Sequence, residues 1–269
     1  MPPEDGISLL PWAAANEATS SRPDPKRLAD LQARVDALNT RYRHHSATAV
    51  LEGALRDPEA GDIAMVSSFG AESVALLHLV AMVDRNVPVL FIDTMLLFPE
   101  TLVYQQDVAE RLRLTDMRVI RASDAVIEKR DPYGALKFTN QDACCALRKT
   151  EPLNAALDGF DGWITGRKRF QSGSRAALEF FELETETGRI KVNPLAHWAP
   201  GDVRAYMEEN RLPRHPLVAQ GFPSIGCAPC TTKVAEGEDP RSGRWRGIEK
   251  EECGIHFDMD APIRTGAKT

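Results

Sequence analysis

Residues 63–83 read IAMVSSFGAESVALLHLVAMV, and this stretch decides the fold. Ile63 to Val66 form a short apolar run, the pattern of a buried strand, and Glu72 to Val83 form an apolar helix. Between them lies a loop of small residues, Ser67-Ser68-Phe69-Gly70-Ala71. The unit then repeats. Val87 to Ile92 (VPVLFI) is a second strand with Asp93 and Thr94 at its carboxyl end, and a helix follows from Pro99, proline being tolerated in a first turn, to Leu112. Met117 to Ile120 and Trp163 to Thr165 supply a third and a fourth strand. Strands alternating with helices predict an α/β fold, a parallel sheet with helices on both faces, in which ligands bind beyond the carboxyl ends of the strands. The loops at 67–72, 93–95 and 166–175 are therefore expected to share one crevice.

Outward from this core, Leu28, Leu31, Val35 and Leu38 recur at helical spacing, and a second helix is expected over Ala47 to Leu55. The segment before Pro25 is rich in Pro, Ser and Ala without a period and is expected to be poorly ordered. Leu178 to Leu183 and Ile190 to Val192 flank a turn-like ETETG and suggest a hairpin, and a helix is expected from Pro200 to Glu209. Beyond Leu212 Pro and Gly increase and regular periodicity is lost.

At 269 residues the chain can bury a core without covalent staples. It shows neither a secretory signal nor an apolar run of membrane-spanning length, so the cytoplasm is the expected location and no membrane partner is expected. A net charge of −6 argues against a general nucleic-acid binder, though not against local basic pockets. In a reducing compartment the five cysteines are expected to be ligands or reactive thiols before disulfides.

Three motifs carry chemistry. In Ser67-Ser68-Phe69-Gly70-Ala71-Glu72-Ser73, small residues between a strand and a helix let backbone N–H groups approach an anion, although the same pattern suits an ordinary strand-to-helix turn. GRKRFQSGSR, residues 166–175, puts Arg167, Lys168, Arg169 and Arg175 at a strand end of an acidic protein, which favours anion recognition over a solvated basic loop. The adjacent Cys144-Cys145 and the pair Cys227-x-x-Cys230 provide four thiolates, suited by type to zinc or to an iron–sulfur cluster. Neighbouring residues project in different directions and can hardly chelate one tetrahedral ion, whereas a cubane offers separate irons. A [4Fe-4S] cluster is therefore the preferred reading. Lys149, one helical turn beyond Cys145, would place a positive charge beside it, its plainer role being an exposed helix residue. Cys253, in EECGIHF, is left over: a lone cysteine is commonly a spectator, but an exposed thiol whose pKa a nearby arginine cluster lowers suits a reactive role, and Arg241, Arg244 and Arg246, which precede it, can close over a bound anion.

In this order SSFGAES, CCALRKTEPL, GRKRFQSGSR, IGCAPC and ECGIHF resemble the phosphoadenylyl/adenylyl-sulfate reductases, from about Ile63 to Phe257. The resemblance implies an adenine-nucleotide α-hydrolase-like domain over 26–221, including the helical preface, after an N-terminal segment of 1–25 and before a C-terminal segment, 222–269, with cluster ligands and nucleophile. It implies reduction of adenosine 5'-phosphosulfate (APS) to sulfite and AMP in assimilatory sulfate reduction. The 3'-phosphorylated substrate (PAPS) is the alternative, and a non-enzymatic zinc module the remote one. Cys253 would attack the sulfate sulfur, and thioredoxin or a similar dithiol would resolve the S-sulfocysteine. Substrate contacts fall on Ser67, Ser68, Phe69, Gly70, Ala71, Glu72, Asp93, Thr94, Arg167, Lys168, Arg175, Arg241 and Arg244. Homo-oligomeric assembly is also expected. Two features depart from the pattern: Ser73 stands where many cluster-bearing relatives have Asp, and the Arg244 to Cys253 spacing is shorter than in plant-type enzymes.

Overall fold

The computed structural model describes residues 23–58, 60–171 and 173–247, with Ser174 described in its backbone only. Strand β1 (Ile63–Ser67) lies at the centre and pairs in parallel with β2 (Val89–Ile92) on one side and β4 (Gly162–Ile164) on the other. β3 (Met117–Ile120) extends the sheet beyond β2, and β6 (Arg189–Val192) extends it in parallel beyond β4. The expected hairpin adds β5 (Phe181–Glu184) antiparallel to β6, so the order is β3-β2-β1-β4-β6-β5 and the sheet is parallel except at that edge. The strand order reverses between β1 and β4. In a doubly wound sheet such a switch point leaves a crevice at the carboxyl ends of the two strands.

Side-chain alternation along β1 and β2 accounts for the two layers. Ile63, Met65, Val89 and Phe91 face the larger core, which includes α1 (Pro25–Tyr42), α2 (Ala47–Arg56), α3 (Ser73–Val83), α4 (Pro99–Leu112) and α9 (Pro200–Glu209). Ala64, Val66, Leu90 and Ile92 face a smaller core with Trp163, Leu157 and Leu153, the last from α8 (Glu151–Ala156). Burial on both faces explains why β1 and β2 read as continuous apolar runs. Gly162 has no alternative residue: a Cβ there would overlap the Ile190 carbonyl of the neighbouring strand. The helical preface covers the β5 edge. Asn39 of α1 donates to the Phe181 carbonyl at 2.8 Å and accepts from the Phe181 N–H at 2.9 Å, so its amide stands in for a further strand.

Between β3 and β4 the chain forms short helices that sequence periodicity did not predict: α5 (Asp124–Arg130), α6 (Leu136–Thr139) and α7 (Gln141–Cys145). A π-helical turn, Ala146–Thr150, joins α7 to α8. Among the described residues no helix is long and apolar enough to cross a membrane.

His215 provides a test of the packing around α4. It is 1% exposed, its Nδ1 accepts from Leu217 N–H, and its Nε2 lies 3.0 Å from Thr101 Oγ1. Its ring packs against that of Tyr104 at a tilt of 56°, with centroids 4.7 Å apart. Burial lowers its pKa to about 4, against an opposing pull from Glu100. An unfolded imidazole takes its proton near pH 6.5, so this site is neutral to stability above that pH and costs stability as pH falls toward 4. The expected loss is about 3 kcal/mol by pH 4. Urea midpoints measured across pH 4 to 7 are expected to fall less steeply in a His215→Asn variant than in the wild type.

Candidate active site

The loop after β1 turns at Phe69, whose φ of 47° throws its ring down into the core, edge-on to Phe91 at 5.3 Å. Ser67 Oγ accepts from Phe69 N–H at 3.2 Å and holds that turn. With Phe69 buried, Ser68, Gly70 and Ala71 carry the backbone over the sheet end toward the first turn of α3. Glu72, the N-cap residue of α3, makes no side-chain capping bond there. Ser73 and Ala75 N–H donate to the Gly70 and Glu72 carbonyls, so the start of α3 offers an anion chiefly the positive potential of the helix terminus. Gly70 also meets the chain's last third, since a Cβ on it would sit 3.3 Å from the Ile225 carbonyl.

Across the switch point, the loop after β4 contributes Lys168, 3% exposed, whose ammonium lies 2.9 Å from Glu72 Oε2. Burial lowers the Lys168 pKa; Glu72 opposes this, and Arg175 and Arg241 push it down further. The structure thus gathers Glu72, Lys168, Arg175 and Arg241 into one electrostatic group. Arg175 is buried and donates to Gln171 Oε1. Arg167 is placed differently from Lys168. Its guanidinium is buried against Glu182, Asn193 and Thr165, a network within the sheet end. Arg169 is directed to the Leu178 carbonyl and Glu179.

At the end of β2, Asp93 accepts from Met95 N–H and pairs with Arg121 at 2.8 Å, while Thr94 faces the cysteines. Thr94 Oγ1 is 3.2 Å from Cys227 Sγ, and Leu97 and Cys227 form an antiparallel bridge. Cys144, Cys145, Cys227 and Cys230 all line one pocket with Arg148, Lys149 and Thr94. All four are free thiols. Burial pushes the Cys144 thiol up; Arg148 opposes this, and Cys227 and Cys230 add to the rise. No three His, Cys, Asp or Glu side chains among the described residues converge closely enough for one metal ion. Four thiols around a common pocket with two cations fit a multi-iron anionic group in donor type and in charge.

The segment after Cys230 folds back on the site. Thr231 and Arg244 form a bridge, and Trp245 N–H donates to the Cys230 carbonyl at 3.1 Å. Arg244 stacks 4.5 Å from the Trp245 ring and donates to the Ile225 carbonyl, lying so close over Gly226 that a Cβ there would overlap it. The anticipated nucleophile, Cys253, lies outside the described residues, as does the end of the 222–269 segment. Sequence reading missed Arg148 and Asp131. CCALRKT displays the arginine one residue before the lysine that was singled out, but nothing local identifies its partner.

Residues 62–233 match the phosphoadenosine phosphosulfate reductase domain family. An adenosine 5'-phosphosulfate reductase of Chelativorans sp. (strain BNC1) is 47% identical over 230 residues, which span 84% of this chain and 93% of the relative. A phosphoadenosine 5'-phosphosulfate reductase of Gloeobacter violaceus is 40% identical, over 84% of this chain and 94% of the relative. Among solved structures, a phosphoadenylyl-sulfate reductase of Candida auris in a phosphate complex superposes with a TM-score of 0.63 at 28% identity, covering 74% of this chain and 96% of that one. The match takes in every strand of the sheet, both cysteine pairs and both loops of the switch point, and the chain therefore belongs to the phosphoadenosine phosphosulfate reductase domain family.

Proposed function

We propose that this protein is an oxidoreductase that reduces APS to sulfite and AMP in assimilatory sulfate reduction, with PAPS as the alternative substrate. The observation that carries the reading is the buried Lys168 paired with the half-exposed Glu72, with Arg175 and Arg241 acting on the same lysine, at the switch point of a family sheet whose chain also gathers four thiols around one pocket. The nucleotide would lie over the 67–73 loop, its anionic groups on the α3 N-terminus and the Lys168 group, with Asp93 toward the adenosine; Thr94, expected there too, is turned to the cysteine pocket. Arg244, braced on Ile225, would close the site from the C-terminal side. Arg167 would act from below by holding the sheet end, since its guanidinium is committed to Glu182 and Asn193.

In this reading the Cys253 thiolate attacks the sulfate sulfur, the sulfur–oxygen bond to the phosphate breaks, and AMP leaves with the electron pair. A thiolate of thioredoxin, or of a similar dithiol protein, then attacks the Cys253 sulfur and expels sulfite. Its second thiol resolves the mixed disulfide, so the dithiol is oxidised and Cys253 regained. Cys144, Cys145, Cys227 and Cys230 would hold a [4Fe-4S] cluster, which when bound supplies negative charge and a cross-link between two distant parts of the chain. Lys149 and Arg148 would offset that charge. Cytoplasmic location, homo-oligomeric assembly and the division into a 1–25 segment, a 26–221 nucleotide-binding domain and a 222–269 segment belong to the same proposal.

Anaerobic purification followed by iron, sulfide and zinc analysis, with rates on APS and PAPS, tests it. Iron and sulfide in equal amounts and faster turnover of APS are expected. Colourless protein carrying one zinc and no reductase activity would overturn the reading, and faster turnover of PAPS would move it to the alternative substrate.

A further inference from the structure

We propose that Asp131 is the positioning residue of the cysteine pocket: its buried carboxylate orients Arg148, so that one guanidinium braces both the pocket and the loop after β2. The inference rests on the cluster reading above.

Asp131 sits in the turn after α5 and is 4% exposed. One carboxylate oxygen accepts from Arg148 Nη2 at 2.9 Å and the other from Leu136 N–H at 3.1 Å. Its backbone N–H bonds the Ile127 carbonyl, and its own carbonyl accepts from Gly134 N–H. One residue thus ties together α5, the 132–135 turn, α6 and the π-helical turn. The side chains of Arg148 and Asp131 are 6% and 2% exposed, so neither charge can be solvated and each stands only with the other. Arg148 donates its other terminal nitrogen, Nη1, to the Thr94 carbonyl at 3.3 Å.

The chain of contacts then runs from Asp131 through Arg148 to Thr94, and from Thr94 Oγ1 to Cys227. Arg148 lies only three residues beyond Cys145 in sequence and lines the same pocket. It therefore joins the tandem cysteines to the loop against which the C-x-x-C pair is pinned, a pinning completed by the bond from Ala228 N–H to the Leu96 carbonyl. A pair kept for stability alone would do as well with apolar residues of similar volume. This pair instead holds a cation at the lining of the four-thiol pocket and on the Thr94 carbonyl at once. Without the carboxylate the guanidinium has no reason to keep that direction, and both the pocket and the 93–97 loop would slacken.

Asp131→Asn keeps the shape and an acceptor for Leu136 while removing the charge. In anaerobically purified full-length protein, the variant is expected to retain its circular dichroism but to lose its visible cluster absorption to EDTA about tenfold faster than wild type. Its KM for APS is expected to rise by a larger factor than its kcat falls, because the loop after β2 is loosened while the reacting groups remain. Bleaching at the wild-type rate, whatever the melting temperature, would overturn the inference. Should the variant fail to fold, Arg148→Lys keeps a cation for Asp131 but cannot also reach the Thr94 carbonyl. Fast bleaching is expected of it, and wild-type bleaching would again overturn the inference. Wild-type protein with zinc and no iron would overturn the cluster reading and this inference together, whereas iron-bearing wild type with an unchanged variant would overturn this inference alone.

Discussion

Replacing Cys253 by serine is expected to lower turnover of APS by about three orders of magnitude or more, with nucleotide affinity held within a few-fold. Cys144, Cys145, Cys227 and Cys230 share one pocket, and in the proposed reading they hold the cluster while Cys253 supplies the reacting thiol. The chain leading to it is anchored at the site: Trp245 N–H is bonded to the Cys230 carbonyl, and Cys253 follows eight residues later (253 − 245). An extended chain of that length spans at most about 28 Å, which bounds the distance from the anchor within which the thiol must meet the sulfate. Incubation with APS in the absence of reductant, followed by mass mapping, is expected to place one sulfonate on Cys253 in wild-type protein and none in the serine variant. An adduct on another residue of active protein, or a serine variant that turns over at the wild-type rate, would remove Cys253 from the mechanism.

What was legible in the sequence is what is local. The strand, loop and helix from Ile63 to Val83 was readable because burial on both faces makes a continuous apolar run, and the observed elements keep those positions to within a residue. The cysteine pairs were readable by residue type. Partners brought in from elsewhere in the chain were not. GRKRF reads as one basic anion site, yet the structure divides it: Lys168 faces the crevice, while Arg167 is claimed by Glu182 on β5, fifteen residues away and in a strand whose neighbourhood only the tertiary fold creates. Asp131 was invisible for the same reason, since its partner Arg148 lies two helices later. In the stretch from Asp124 to Ala156 only the helical turn from Cys145 to Lys149 was anticipated, because the helices, interrupted at Asp131-Pro132 and Asn140, are too short for an apolar period to show.

The Lys168–Glu72 pair gives the sharpest test of the anion site. Lys168→Ala is expected to lower kcat/KM for APS by about a hundredfold or more, because it removes the buried cation and leaves Glu72 as an uncompensated negative charge facing an anionic substrate. Glu72→Ala alone is expected to cost less, and the double variant is expected to recover part of the Lys168→Ala loss. Such a result is non-additive, with a coupling of about 1–3 kcal/mol, the behaviour of two charges in direct contact. The sign of the pH dependence follows from the same geometry. Burial lowers the Lys168 pKa, Glu72 holds it up, and Arg175 and Arg241 work against Glu72. Anion binding favours the protonated lysine, so kcat/KM is expected to fall as pH rises through the pKa of the free site. Removing the carboxylate charge with Glu72→Gln lowers that pKa further, and the alkaline fall is expected to begin at lower pH than in wild type. The pH profile of kcat/KM for the two proteins reads this directly. Coincident alkaline limbs, together with additive effects of the two alanine substitutions, would make Lys168–Glu72 a structural ion pair and shift anion recognition onto the α3 N-terminus and the remaining arginines.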